Sequence, residues 1–231
     1  MAASTASILY PRIVKQTGQV CNAAVLFLHG SGDTGNGVSD WVKMASRGEF
    51  HFPHAKVLYP TAPIRPYTPM GGAMSNVWFD RMQISPNVPE HAQSVEAMCG
   101  TLSDLIQQEV ANANSVILGG FSMGGAMALH LAYRFNRDVA GVFALSSFIN
   151  NGSALFKELE ALPDNSQLPP LFYCQGEKDD LALPVWAENT FAQLSSLGVK
   201  GTFTKYPIHH ELNKAELLSL KTWINGLIPE S

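Results

Sequence analysis

Short apolar runs alternate along the chain with longer stretches in which apolar positions recur at helical spacing. Residues 24–28, 56–59, 115–118, 141–145, 171–174 and 202–206 read as strands, and several are apolar on both faces. Runs of that kind belong to a parallel sheet covered on both sides. Between them, residues 89–110, 123–135, 183–197 and 211–227 carry the helical pattern. Strand and helix alternate, which predicts a doubly wound α/β sheet with right-handed crossovers. No linker rich in Pro, Gly or Ser divides the chain. The expectation is one domain over residues 23–228, preceded by a tail, residues 1–22, with a possible edge strand.

One stretch breaks the rhythm. Residues 61–89 are rich in proline and methionine and carry Trp78-Phe79-Asp80, with little periodicity. A long loop inside a compact domain is usually functional or disordered, and aromatic residues speak against disorder. It reads as a lid-like loop, in which Met70, Met74, Trp78 and Phe79 are available to fill space over a site.

Composition narrows the function classes. The 231 residues carry a net charge of −4 and no basic run, so nucleic acid is not an expected partner. No apolar stretch approaches the roughly eighteen residues needed to span a bilayer. The cysteines are Cys21, Cys99 and Cys174, scattered and odd in number, which fits neither a disulfide framework nor a zinc site. Cys174 reads as a small buried hydrophobe, and a reducing compartment fits. The N-terminal residues MAASTASILYPRIVKQ lack acids but are interrupted by Pro11, so an exposed tail is expected rather than a targeting helix.

The chemistry concentrates in LGGFSMGGAMALH, where Gly119, Gly120, Gly124 and Gly125 surround Ser122. Glycine costs a helix about 1 kcal/mol relative to alanine, so glycines here need a steric reason. Gly120-Phe121-Ser122-Met123-Gly124 fits G-x-S-x-G between a strand and a helix, a strained turn that presents a serine hydroxyl. A phosphate loop does not fit: no Lys-Ser/Thr pair follows, and the spacing is not G-x-G-x-x-G.

A serine hydroxyl needs a base, itself oriented by an acid, and in this fold class they follow in the order serine, acid, histidine. The strand at 171–174 runs into Gln175-Gly176-Glu177-Lys178-Asp179-Asp180, and the strand at 202–206 into Pro207-Ile208-His209-His210-Glu211. Pattern alone does not separate Asp179 from Asp180 or His209 from His210. The oxyanion of an acyl-transfer intermediate needs backbone donors. Met123, following the serine, supplies one, and Ser31 in the loop after the first buried strand is the candidate for the second. His29 reads as a residue that orders that loop. HExxH is absent, because Lys214 stands four residues after His210, and no metal is expected.

The segments FLHGSGDTG, YPTAP, NVWFDR, GGFSMGGAMALHLAYR, GVFALSSF and HHELNKAEL resemble the acyl-protein thioesterase and lysophospholipase family of α/β-hydrolases over residues 25–227. GFSMGG and SNVWFDR are more similar to its lysophospholipase-like branch than to the long-chain thioesterases. The resemblance implies Asp179 as the acid, His210 as the base, and Ser31 and Met123 as oxyanion donors. It also implies hydrolysis of thioesters and oxygen esters through an acyl-serine, no cofactor, a mainly cytoplasmic location and a short acyl pocket. Expected substrates are acylated proteins or small esters. Position 2 is alanine, so a stable membrane anchor by acylation there is not expected. A carboxylesterase without a protein substrate and an acyl-binding protein with an idle triad are the alternatives.

Overall fold

The computed structural model describes residues 9–110, 115–163 and 166–228. The first eight residues, within the expected N-terminal tail, lie outside the described residues. Seven strands form the main sheet in the order β1-β3-β2-β6-β7-β8-β9. They are β1 (Leu9–Val14), β2 (Ala23–Leu28), β3 (Ala55–Thr61), β6 (Ser115–Phe121), β7 (Gly141–Leu145), β8 (Leu171–Gly176) and β9 (Gly201–Tyr206). All neighbours pair parallel except β1, which lies antiparallel to β3 at one edge. This is an α/β-hydrolase arrangement in one domain.

The apolar runs in the central strands are explained by burial on both faces. In β2, Ala24, Leu26 and Leu28 enter the core on one side of the sheet, while Ala23, Val25 and Phe27 enter the core on the other. The first core is closed by α2 (Ala92–Glu109), α3 (Met123–His130), α4 (Ala154–Glu160) and α5 (Pro184–Ser196). The second is closed by α1 (Gly35–Ala45) and α6 (Lys214–Leu227) through Val38, Val42, Leu217, Leu220 and Ile224.

The helix ends shift from their expected places because of caps. α6 starts at Lys214 rather than 211, since Asn213 accepts the Glu216 N–H at 2.8 Å. α2 starts at Ala92 behind a His91 cap. The helix expected over 123–135 is α-helical to His130 and continues as a π-helical turn to Phe135. Two helices, α1 and α4, were not expected. α1 begins GNG, which reads as loop, yet Thr34 caps it by accepting the Gly37 N–H at 3.0 Å. The lid-like stretch is also more regular than its sequence suggests. β4 (Ile64–Tyr67) and β5 (Ala73–Asn76) pair antiparallel across a turn in which Gly71 and Gly72 both have positive φ.

α6 also buries a carboxyl. Glu216 is 0% exposed, and burial pushes its pKa up to about 8, with the backbone of Asn213 opposing.

Candidate active site

Parallel strands aim their C-terminal ends at one edge of the sheet, and loops leaving β2, β6, β7 and β8 meet there. Ser122 sits between β6 and α3 with φ 56° and ψ −122°, a conformation that L-residues rarely adopt. Its N–H donates to Leu145 O at 2.8 Å, which ties the turn to β7. The surrounding glycines are required by close approach. A Cβ on Gly124 would stand 2.1 Å from Leu28 O, and one on Gly120 2.4 Å from the same oxygen. The end of β2 thus lies directly against the strand-to-helix turn.

The loops that carry Asp179 and His210 arrive from β8 and β9. Asp179 is 3% exposed, and its Oδ2 lies 2.7 Å from His210 Nδ1. The other oxygen, Oδ1, accepts the N–H groups of Leu181 at 3.0 Å and Ala182 at 2.8 Å. Gln175 Nε2 donates to Oδ2 at 3.1 Å and to Ala182 O at 2.9 Å, fixing the loop from below. Burial raises the Asp179 pKa, but the hydrogen bond and charge of His210 and the two backbone donors outweigh it, so the net shift is downward. Asp179 is therefore an anion held for His210. Asp180 is exposed. The His210 ring also packs on Phe121, with centroids 4.7 Å apart, one residue before Ser122.

Beside Ser122 is a small pocket with about 20 Å³ of free space, lined by Ser31, Tyr67, Arg81, Met123, Phe148 and Leu181 among others. Ser31 and Met123 flank the serine there. Met123 is the first residue of α3, so its N–H has no acceptor within the helix and faces the positive end of the helix dipole. His29 organises the Ser31 loop. Its Nδ1–H donates to Gly30 O at 2.6 Å, its Nε2 accepts the Ala62 N–H at 3.0 Å, and its own carbonyl accepts Trp78 Nε1–H at 2.8 Å. Burial lowers the His29 pKa, in keeping with a neutral ring that donates at one nitrogen and accepts at the other. Gly32 N–H adds a bond to Asn76 O at 2.9 Å.

The lid residues do not behave as one group. Met70 and Met74 are 59% and 65% exposed and do not line the pocket, which corrects the expectation that they fill space over the serine. Met70 lies in the β4–β5 turn and Met74 within β5, both turned to solvent. Trp78 and Phe79 are buried, Trp78 under the His29 loop and Phe79 beneath Arg81. Three contributors were not singled out from sequence. Gln175 holds Asp179. Ser147 Oγ donates to Ser122 O at 2.7 Å. Arg81 lines the pocket. Ser147 and Arg81 stand within GVFALSSF and NVWFDR, but neither segment carries a period that reveals what its side chains face.

A family model described as Phospholipase/Carboxylesterase matches residues 10–228. The chain belongs to the phospholipase/carboxylesterase family. Membership makes it a hydrolase of the serine esterase type. Lysophospholipase-like protein 1 of Mus musculus is 47% identical over 99% of this chain and 97% of its own length. Acyl-protein thioesterase 1 of Neurospora crassa is 30% identical over 96% of this chain and 92% of its own. Among solved structures, acyl-protein thioesterase 2 of Zea mays is similar with a TM-score of 0.84 at 26% identity, covering 95% of this chain and 99% of that one. No helix among the described residues is long and apolar enough to cross a membrane.

Proposed function

We propose that this protein hydrolyses short-chain acyl esters and thioesters, with Ser122 as nucleophile, His210 as base and Asp179 as the acid that orients it. The reading rests on one relationship: the strained serine at the β6–α3 turn and the buried Asp179 with its partner His210 at 2.7 Å share the C-terminal edge of the sheet. In this scheme Ser122 Oγ attacks the acyl carbon while His210 Nε2 takes its proton. The tetrahedral oxyanion is held by the N–H groups of Ser31 and Met123. His210 returns the proton to the leaving alkoxide or thiolate, and water then repeats the sequence on the acyl-serine. Asp179 accepts from Nδ1–H and stabilises the imidazolium without taking the proton. No step calls for a cofactor.

The substrate is an acylated protein or a small ester, in a cytoplasmic setting. Reduced Cys99 and Cys174, both buried, suit a reducing compartment. The pocket beside Ser122 is small, with about 20 Å³ of free space, which favours short acyl groups and the small-ester reading over a long fatty chain. The test is labelling with a fluorophosphonate: wild type is expected to react at one serine and Ser122→Ala not at all. Equal labelling of the two proteins would overturn the assignment.

A further inference from the structure

Arg81 is 6% exposed and lines the pocket beside Ser122, Ser31 and Met123. Its guanidinium lies over the Phe79 ring at 4.9 Å and the Phe148 ring at 5.3 Å. Buried charges in proteins are paired as a rule, because leaving one unpaired away from water is expensive. Arg81 breaks that rule: its guanidinium forms no ion pair among the described residues, and its buried Nε has no hydrogen-bond partner.

The acids that could have served are committed elsewhere. The Asp80 carboxylate accepts from the Thr68 N–H and hydroxyl and from the backbone N–H of Arg81 itself. Glu90, whose backbone bridges to Arg81, gives its carboxylate to His130, Ser153 and Ala154 N–H. The chain thus brings a cation to the serine and packs it against two aromatic rings; Asp80 acts on it only through its field, and no carboxylate of the described residues pairs with it. The two rings give the guanidinium no hydrogen-bond acceptor, and its N–H groups are of the kind that matches a carboxylate in plane.

We propose that Arg81 is a specificity-determining residue whose guanidinium receives a carboxylate carried by the substrate, a few bonds from the scissile carbonyl. This rests on the serine-hydrolase reading above and names its substrate class: esters or thioesters bearing a free carboxylate. The carboxylate can sit at the far end of a short acyl chain or on the leaving group, and the chemistry at Arg81 is the same.

The test compares two ester pairs of matched size, followed by acid release with the uncatalysed rate subtracted. Monoethyl glutarate against ethyl pentanoate places the charge on the acyl side. Carboxymethyl butyrate against propyl butyrate places it on the leaving group. For wild type, one charged ester is expected to exceed its neutral partner in kcat/KM by about tenfold, the scale of a charge-assisted hydrogen bond. The pair that shows it identifies the source. In Arg81→Met that ratio is expected to fall to about one, and Arg81→Lys to restore part of it. Wild-type ratios at or below one in both pairs, with the neutral esters cleaved, would overturn the carboxylate site and leave the hydrolase reading intact. So would a uniform drop across all four esters in a folded Arg81→Met, which would place Arg81 on the reacting carbonyl or the scaffold. Failure of all four esters, together with absent fluorophosphonate labelling, would instead remove the hydrolase reading itself.

Discussion

Asp179 holds Nδ1 of His210 at 2.7 Å from a position almost sealed from water, while its neighbour Asp180 faces solvent. Asp179→Asn keeps the shape but offers an amide where the imidazole needs an acceptor. A loss of about 10⁴ in kcat is expected, as when a triad acid is replaced elsewhere. Asp180→Asn should stay within about twofold of wild type, since an exposed carboxylate with no site contact contributes little. Steady-state kinetics on one ester decides between them, and the reverse order would exchange their roles.

Ser122 pays for its exposed hydroxyl with backbone strain at φ 56°. Replacing it with glycine removes both the proposed nucleophile and the steric cause of the strain. Ser122→Gly is expected to abolish esterase activity and to raise stability by about 1 kcal/mol, the low end for a non-glycine residue in a sparsely populated region. Ser122→Ala keeps its Cβ and should lose activity without that gain. Thermal melts of the three proteins check the ordering; a glycine variant melting below the alanine variant would refute it.

Glu216 gives stability a definite dependence on pH. Its carboxyl is normally near 4.5 and is pushed up to about 8 in the fold. Between these values the folded chain keeps a proton that the unfolded chain releases. Stability therefore falls as pH rises from about 4.5 to 8 and levels off above. Glu216→Gln cannot ionise, so its melting temperature should fall less between pH 5 and pH 8.5 than that of wild type. Equal losses in the two proteins would show that Glu216 holds no such proton.

Acyl-chain length tests the pocket. A tunnel that buried twelve extra methylenes would gain at most about 10 kcal/mol at 0.8 kcal/mol each, before ordering costs. Free space of about 20 Å³ beside Ser122 offers none of this. For p-nitrophenyl esters below their critical micelle concentrations, kcat/KM is expected to peak between about two and six carbons. A steady climb to twelve carbons would show a tunnel that the pocket beside Ser122 does not reveal.

The buried strands and the loops after β6, β8 and β9 were legible because strands covered on both faces write continuous apolar runs. α1 was hidden by Gly35 and Gly37, whose helix depends on the Thr34 cap and on packing through Val38 and Val42. The β4–β5 hairpin was masked by Pro66, though the Gly71-Gly72 pair is the kind of turn a hairpin uses. Which aspartate faces His210 was beyond pattern. Asp179 and Asp180 are adjacent, and which one turns inward is set by Gln175 and the Leu181 and Ala182 N–H groups. Arg81 was equally invisible, because no period in NVWFDR shows that its side chain turns into the pocket.

The His29 bridge has a consequence for how substrates are sorted. Bonds from Ala62 N–H and Trp78 Nε1–H to His29, and from Gly32 N–H to Asn76 O, fasten the lid-like segment to the Ser31 loop. Swinging that segment away would break three hydrogen bonds, each worth about 1 kcal/mol, and expose Trp78. Separating the two loops therefore costs about 3 kcal/mol before the exposure of Trp78 is counted, which favours their staying together. Under the proposed activity, selection at this mouth would work as a sieve of set mesh, in which an acyl group is rejected by its size on arrival rather than embraced by a closing flap.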